Sequence, residues 1–252
     1  MTPLELAARL AKPVGTLGAG FYFDPGTAAA AEELGLNVYE FYGLGRAGVL
    51  GDVDEDAVQA AFHFFHPRII TMLWTNARAK GDPAAVAERY VAAAFAFADR
   101  TFGAVPLDLL EATSSAARAA VEDDELGRHP LADGYRRVAA PDDPVHGAYL
   151  GTILLRELRG GIHIDAVIAA GLTPAQACYL DDAAIFSLHG YRDEDAPVVS
   201  SELEAAKASA EAATDAAMAQ HLAVLDDQRR DALASGVDAM AAALANPVPR
   251  ER

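Results

Sequence analysis

Residues 83–121 have the sequence PAAVAERYVAAAFAFADRTFGAVPLDLLEATSSAARAAV, and this stretch decides the fold class. Alanine dominates it, and alanine loses no side-chain entropy when it enters a helix. No part of the stretch alternates apolar and polar residues with the period of two that indicates a β-strand. The pattern therefore predicts two long helices, over 83–101 and 106–121.

The rest of the chain has the same character, and alanine makes up nearly a quarter of it. Further helices are predicted over 3–12, 28–34, 37–46, 54–65, 67–79, 144–158, 163–170 and 174–181, with one or two more between 198 and 245, broken near Asp226 and Asp227. Proline and glycine are expected to end helices, at Pro13 and at Gly160-Gly161 among other places. The predicted fold is all-α.

A charged stretch at 122–134 (EDDELGRHPLADG) contains glycine and proline and is the best candidate for a domain edge. We therefore expect a multi-helix bundle of two helical subdomains. The first is an N-terminal subdomain over 1–125. The second, over 140–252, contains the long terminal helices.

Charge and composition argue against nucleic-acid-binding and membrane proteins. The 252 residues are 52% hydrophobic, and 37 acidic residues against 20 basic ones give a formal net charge of −17. Such a chain argues against a broad nucleic-acid or anionic-membrane footprint, which needs clustered Lys and Arg. No apolar run is long enough to cross a membrane, and no secretory leader is evident. With one cysteine, Cys178, we expect a soluble cytoplasmic protein without nucleic-acid or membrane partners.

Two local motifs favour ordinary structural roles. Residues 43–48 spell GxGxxG, but Gly51 and the acidic run at 52–56 interrupt the helix that a dinucleotide site requires. His63 and His66 are three residues apart, yet no further ligands follow at helical spacing, so no metal site and no cofactor are expected. Cys178 has no nearby base in the sequence and is interpreted as a packing thiol.

Arg156, Arg159 and His163 surround the predicted turn at Gly160-Gly161. Arginines in the last turn of a helix complement its dipole, and this structural role is favoured. The functional alternative is an anionic pocket in which two guanidinium groups and an imidazole converge on a carboxylate or phosphate. The residues alone leave both interpretations open.

Several segments together resemble one known family. They are YFDP at 22–25, ELGL at 33–36, GRAGVLG at 45–51, LLRELRGGIH at 154–163 and AAGL at 169–172. In order and spacing they are similar to an uncharacterised family of actinobacterial helix-turn-helix proteins with a winged-helix-like C-terminal part. The resemblance covers roughly 20–75 and 145–245, and it implies a transcriptional regulator.

The chain departs from that family pattern near its C-terminus. It keeps EAATD at 211–215, but the wing that the family places before this motif is missing, since no glycine occurs between Tyr191 and Ser235. Residues 198–213 carry two glutamates before position 205, which disfavours phosphate contacts. We therefore expect a divergent member with a degenerate winged-helix-like part, which has lost the wing and DNA binding.

The leading functional hypothesis is a small-molecule-binding protein with an aromatic and basic pocket between helices. The pocket would lie between the aromatic segment 62–74 and the basic segment at 156–163, with the arginines binding an anionic end of the ligand. The expected ligand-binding residues are Arg46, Phe65, His66, Trp74, Tyr149, Arg156, Arg159 and His163.

Two other functions remain open. The same pocket could support a cyclase, isomerase or dehydratase in which His63, His66 or His163 acts as general acid or base. The resemblance implies transcriptional regulation instead. In any of these cases the alanine-rich C-terminal helices are expected to mediate a homodimer.

Overall fold

The computed structural model describes residues 1–122 and 127–250, and in this part of the chain the fold is all-α. The described residues form no β-strand, only an isolated bridge between Phe102 and Val248. Short 3₁₀ turns occur at Gly48–Leu50 and Asp193–Asp195. The α-helices are α1 Pro3–Ala19, α2 Pro25–Glu33, α3 Val38–Ala47, α4 Glu55–Ala61, α5 Pro67–Ile70, α6 Pro83–Thr101, α7 Leu107–Glu122, α8 Pro130–Arg136, α9 Pro144–Ala169, α10 Pro174–Asp181, α11 Ala183–Leu188, α12 Ser201–Leu222 and α13 Asp227–Ala245.

Local sequence explains where many of these helices begin. Thr2, Asn37 and Thr173 form capping boxes with the residue three positions later, so the first backbone N–H groups are satisfied by side chains. Aspartates cap α2, α4, α6, α9 and α13, and proline often takes the first helical position, where its missing N–H costs nothing.

Helix α9 is the central element of the fold. Its side chains are buried along most of the length from Val145 to His163, and α1, α6, α7, α8 and α12 all pack around it. Helix α13 covers α7 and α1. One hydrophobic core includes residues from Leu6 to Met240. The boundary predicted at residue 125 lies outside the described residues, and the division into two subdomains stays a prediction.

Two helices continue past their predicted ends. Helix α9 continues through Gly160-Gly161 to Ala169 and joins the helices expected at 144–158 and 163–170. Gly161 serves packing: a Cβ there would lie 2.6 Å from His129 Cδ2, so only glycine allows His129 to approach the helix this closely. Helix α1 likewise continues through Pro13 to Ala19.

The aromatic region between α4 and α6 is less regular than predicted. Helix α4 ends at Ala61 rather than continuing to Phe65, and the segment 62–66 forms a turn. After the expected break at Pro67, α5 passes into a π-helical stretch, Thr71–Asn76. In this turn Phe62 and Phe65 both contact Tyr42, whereas Phe64 contacts His163.

The C-terminal helices confirm the predicted break, since α12 ends at Leu222 and Asp226 caps α13. Within this described segment no β-hairpin is present. Helix α12 packs on α1 and α9, so its small side chains bury against the same chain. The homodimer stays a prediction. None of the described helices is long and apolar enough to span a membrane.

Candidate ligand cavity and helix-turn-helix segment

A cavity of about 500 Å³ lies beside the second half of α9. Helix α1 lines it with Val14 and Gly15, and the end of α4 with the turn that follows lines it over 60–65, including three phenylalanines. Residues of α9 from Arg156 to Ile168 form a further wall. This volume is in the range that small-molecule sites occupy in proteins.

Two arginines share one buried carboxylate at this cavity. Arg46 binds Glu157 through two bonds, Nε–Oε1 at 3.0 Å and Nη2–Oε2 at 2.6 Å. Arg156 Nη1 donates to the same Oε1 at 2.8 Å. The Glu157 side chain is 1% exposed, that of Arg46 10% and that of Arg156 24%. The cluster therefore carries one more positive charge than negative.

Aromatic rings surround both guanidinium groups. Arg46 lies 4.5 Å from the centre of the Phe62 ring and donates from Nη1 to the Tyr42 hydroxyl at 2.9 Å. Arg156 lies 5.1 Å from the centre of the Tyr22 ring. Such contacts favour the cationic form in a desolvated place. Burial would raise the pKa of Glu157, but the charges of Arg46 and Arg156 outweigh it and hold that pKa below the usual range.

A second polar cluster joins α9 to α12. Arg159 Nη2 donates to Glu211 and to Asp215, each at 3.2 Å. Lys207 Nζ is surrounded by three acceptors, namely Glu211 Oε1 at 2.6 Å, Asp181 Oδ1 at 2.8 Å and His163 Nε2 at 3.4 Å. The EAATD motif at 211–215 thus holds the residues of the LLRELRGGIH motif in place.

His163 has both ring nitrogens engaged in this cluster. The Thr214 hydroxyl donates to Ala210 O at 2.8 Å, so it accepts from His163 Nδ1 at 2.9 Å. Nε2 is then an acceptor, and it faces the ammonium of Lys207. Burial lowers the pKa of His163. The imidazole is therefore neutral at pH 7 and links α9 to α12.

The other two histidine candidates differ from each other. His66 caps α5, since its Nδ1 accepts from the Arg68 backbone N–H at 3.2 Å, and it lies outside the cavity lining. His63 lines the cavity, and its buried Nε2 has no hydrogen-bond partner among the described residues. Burial lowers the pKa of His63. In the part of the chain that the structure describes, no group of three or more metal-ligating side chains is present.

Cys178 has a base nearby after all, because His189 Nδ1 lies 3.2 Å from its sulfur. Burial, followed by Arg46 and Arg156, lowers the pKa of His189 to about 4. Burial and Asp181 raise the pKa of Cys178 to about 12. The thiol and the imidazole are therefore both neutral at pH 7, which is unlike an activated nucleophile pair.

The cavity brings together five of the eight side chains expected to bind ligand: Arg46, Phe65, Arg156, Arg159 and His163. Trp74 and Tyr149 are buried in the main core instead, and Tyr149 donates its hydroxyl hydrogen to Leu17 O. Their size and aromaticity fit a core as well as a pocket, so residue type did not separate the two roles. Sequence reasoning missed Glu157 and His189 of the cavity lining, and also Lys207, which contacts the lining residue His163.

A short helix-turn-helix segment begins where the cavity wall ends. Helix α9 stops at Ala169, residues 170–173 form a turn with Gly171 at φ +74°, and α10 follows. A helix-turn-helix motif contains two helices joined by a short turn that often includes glycine, and α9 and α10 match this part of its description. Leu172 of the turn packs with Val167 and Ala177 against Ala210 of α12, which gives the segment a small core of its own.

A family model described as a helix-turn-helix family matches residues 7–197. The chain belongs to the helix-turn-helix family. Comparison with curated proteins and comparison with solved structures each gave no match. For this helix-turn-helix protein, the match covers the cavity and the helix-turn-helix segment alike.

Membership corrects one expectation. Nucleic acid was excluded as a partner because of the net charge of −17 and the missing wing, and this exclusion is wrong for a helix-turn-helix family, whose motif is a DNA-binding one. Net charge sums over the whole surface, whereas a recognition helix needs a favourable potential only where it meets the duplex.

Proposed function

We propose that this helix-turn-helix protein is a transcriptional regulator whose cavity binds a small molecule and whose α10 contacts DNA. The observation that carries the proposal is the double role of α9. The helix supplies one whole wall of the cavity, from Arg156 to Ile168, and it is also the first helix of the helix-turn-helix segment. A molecule in the cavity would therefore touch the element that positions α10.

Family membership supports the DNA-binding half of the proposal. In this motif the second helix enters the major groove with its N-terminal residues against the base edges. Here that end is formed by Thr173, Pro174 and Ala175. No basic residue lies on α10, so the positive end of the helix would supply the attraction.

The cavity and its polar wall support the ligand-binding half. Aromatic side chains with a few convergent polar groups are typical of small-molecule sites. His63 and His189 are candidates for proton transfer. Burial alone lowers the pKa of His63, and the pKa of His189 is held near 4, so binding is favoured over catalysis.

DNA binding can be tested with a matched pair of variants. Ala175 and Ala84 each follow a side-chain cap and a proline at the start of a helix, α10 and α6 respectively. Glutamate at either place suits the helix dipole and should leave folding intact. A duplex selected from a random pool would be titrated by fluorescence anisotropy at physiological salt.

We expect Ala175→Glu to weaken binding at least tenfold and Ala84→Glu to leave it unchanged. If no duplex is enriched by the wild-type protein, or if both variants bind like wild type, the DNA-binding proposal is wrong. Thermal shifts with a metabolite panel test the cavity separately, because a ligand that binds the folded state raises its stability.

A further inference from the structure

We infer that the cavity selects a monocarboxylic acid with an apolar or aromatic body, and that Arg156 is the residue that binds its carboxylate. The inference rests on the proposed ligand-binding function and names the chemical class of the ligand. Its basis is the difference between the three arginines that reach the cavity from α3 and α9.

The charge of Arg46 is neutralised by protein groups. Its Nε and Nη2 bind both oxygens of Glu157, and its Nη1 donates to Tyr42. A planar carboxylate paired to a guanidinium through two parallel bonds is the strongest such geometry. Arg46 and Glu157 thus neutralise each other and serve as part of the wall.

Arg159 is engaged by acidic groups through Nη2, although its buried Nε has no hydrogen-bond partner among the described residues. It lies between Glu211 and Asp215, both within hydrogen-bond distance of its Nη2, so acidic groups outnumber it. A second anion placed there would meet like charges. Arg159 therefore fixes α12 to α9 and is a poor receptor for a carboxylate.

Arg156 differs from these two arginines because the carboxylate that it contacts, Glu157, is already neutralised by Arg46. It makes one hydrogen bond, from Nη1, and a guanidinium has five N–H donors. Gly18 of α1 makes room for its stem, since a Cβ there would lie 2.7 Å from Arg156 Cδ. The head group is then held at the cavity with an unbalanced positive charge, which is costly in a desolvated place unless an anion joins it.

The excess of one positive charge in this cluster indicates the charge that the ligand should carry. Two guanidinium groups against one carboxylate leave one positive charge, so a single carboxylate completes the balance and a phosphate dianion exceeds it. The body of the ligand meets Phe62, Phe64 and Phe65 together with Ile164. Aromatic and aliphatic walls favour an apolar body over a sugar or a peptide.

The test uses three probes that share one ring system: 2-naphthoate, 2-naphthamide and 2-naphthyl phosphate. Isothermal titration calorimetry at pH 7.5 gives the affinity of each. We expect the acid to bind about 10- to 100-fold more tightly than the amide, because a hydrogen bond to a charged group is worth that factor. The phosphate should bind more weakly than the acid.

Arg156→Met keeps the apolar stem and removes the charge, so acid and amide should then bind equally. Arg89→Met is the matched control, since Arg89 pairs with Glu33 on the surface and should leave the ratio unchanged. Without ligand, Arg156→Met should melt at the same temperature as wild type or higher. If Arg156→Met and Arg156→Gln both fail to fold, the charge was balanced by the protein, and the inference is overturned.

The other possible results of the titrations each contradict a different part of the inference. An amide that binds wild type as tightly as the acid overturns the anion assignment but leaves a ligand-binding cavity. A phosphate that binds most tightly overturns the single-charge argument. If none of the three probes binds at millimolar concentration, the inferred ligand class is overturned, and the thermal-shift panel then decides whether the cavity binds any small molecule.

Discussion

Lys207 Nζ lies 2.8 Å from Asp181 Oδ1, and this ion pair joins the first third of α12 to the last residue of α10. The same ammonium contacts Glu211 and His163, so one side chain connects the helix-turn-helix segment, the EAATD motif and the cavity wall. Burial would lower the pKa of Lys207, but its hydrogen bonds to Asp181 and Glu211 raise it above the usual range.

Lys207→Met should destabilise the protein by about 2 kcal/mol, because it removes a buried cation from two carboxylates that keep only partial solvent access. Chemical denaturation measures the free energy of unfolding. Lys12→Met is the control, since Lys12 is exposed and should change stability by less than about 0.5 kcal/mol. Equal effects from the two variants would contradict the central role of Lys207.

Two adjacent glycines of α9 should respond in opposite directions to alanine. Nothing lies within 4 Å of a Cβ on Gly160, so Gly160→Ala should stabilise the helix by up to about 1 kcal/mol. Gly161→Ala should destabilise the protein, because its Cβ would collide with His129. Thermal unfolding of both variants checks the pair, and a loss of stability in Gly160→Ala would contradict a continuous α9.

Glu157→Gln removes the carboxylate that two buried guanidinium groups share. We expect a loss of about 3 kcal/mol in the free energy of unfolding, since it leaves buried cations without an anion. Glu33→Gln, which breaks a surface pair with Arg89, should cost about 1 kcal/mol or less. Urea titrations would show the contrast, and a neutral Glu157→Gln would mean that the cluster is well hydrated.

Acid should destabilise the protein through His189. Its pKa falls from 6.5 to about 4 on folding, so the unfolded chain binds the proton more readily. Stability from this group is complete above about pH 6.5 and is lost as the pH falls toward 4, by at most about 3 kcal/mol.

The variant His189→Gln isolates that effect from the carboxylates. It keeps a hydrogen-bonding side chain but cannot titrate, so the loss of stability between pH 7 and pH 4.5 should be smaller than in wild type. Urea unfolding at both pH values gives the difference. Parallel pH profiles for the two proteins would rule out His189 as the source.

The sequence was sufficient to predict the fold class and many helix positions. Helix α6 begins and ends as predicted at 83–101, and α10 occupies the predicted 174–181, because capping residues and proline act locally. The ends of α1 and α9 were predicted wrongly at Pro13 and Gly160-Gly161. There tertiary packing overrides local preference, and His129, which forces the choice of glycine at 161, is more than thirty residues away.

The candidate site was only partly predictable. Residue type indicated Arg46, Arg156 and Phe65. It could not distinguish an arginine whose charge is neutralised by a carboxylate from one whose charge is not. That distinction depends on Glu157, which sits between two arginines in an otherwise apolar stretch of α9, a signal that was available in the sequence. The contact between Cys178 and His189 left no such signal.

The neutral, buried thiol of Cys178 can serve as a chemical probe of local unfolding. Its sulfur is covered by Phe64 O and His189, and it sits on α10 next to the proposed DNA contact. An alkylating reagent can reach it only when that helix lifts away and the thiol ionises in water. The rate of modification would therefore report how often the recognition element opens, and a bound effector or duplex would slow it without any added label.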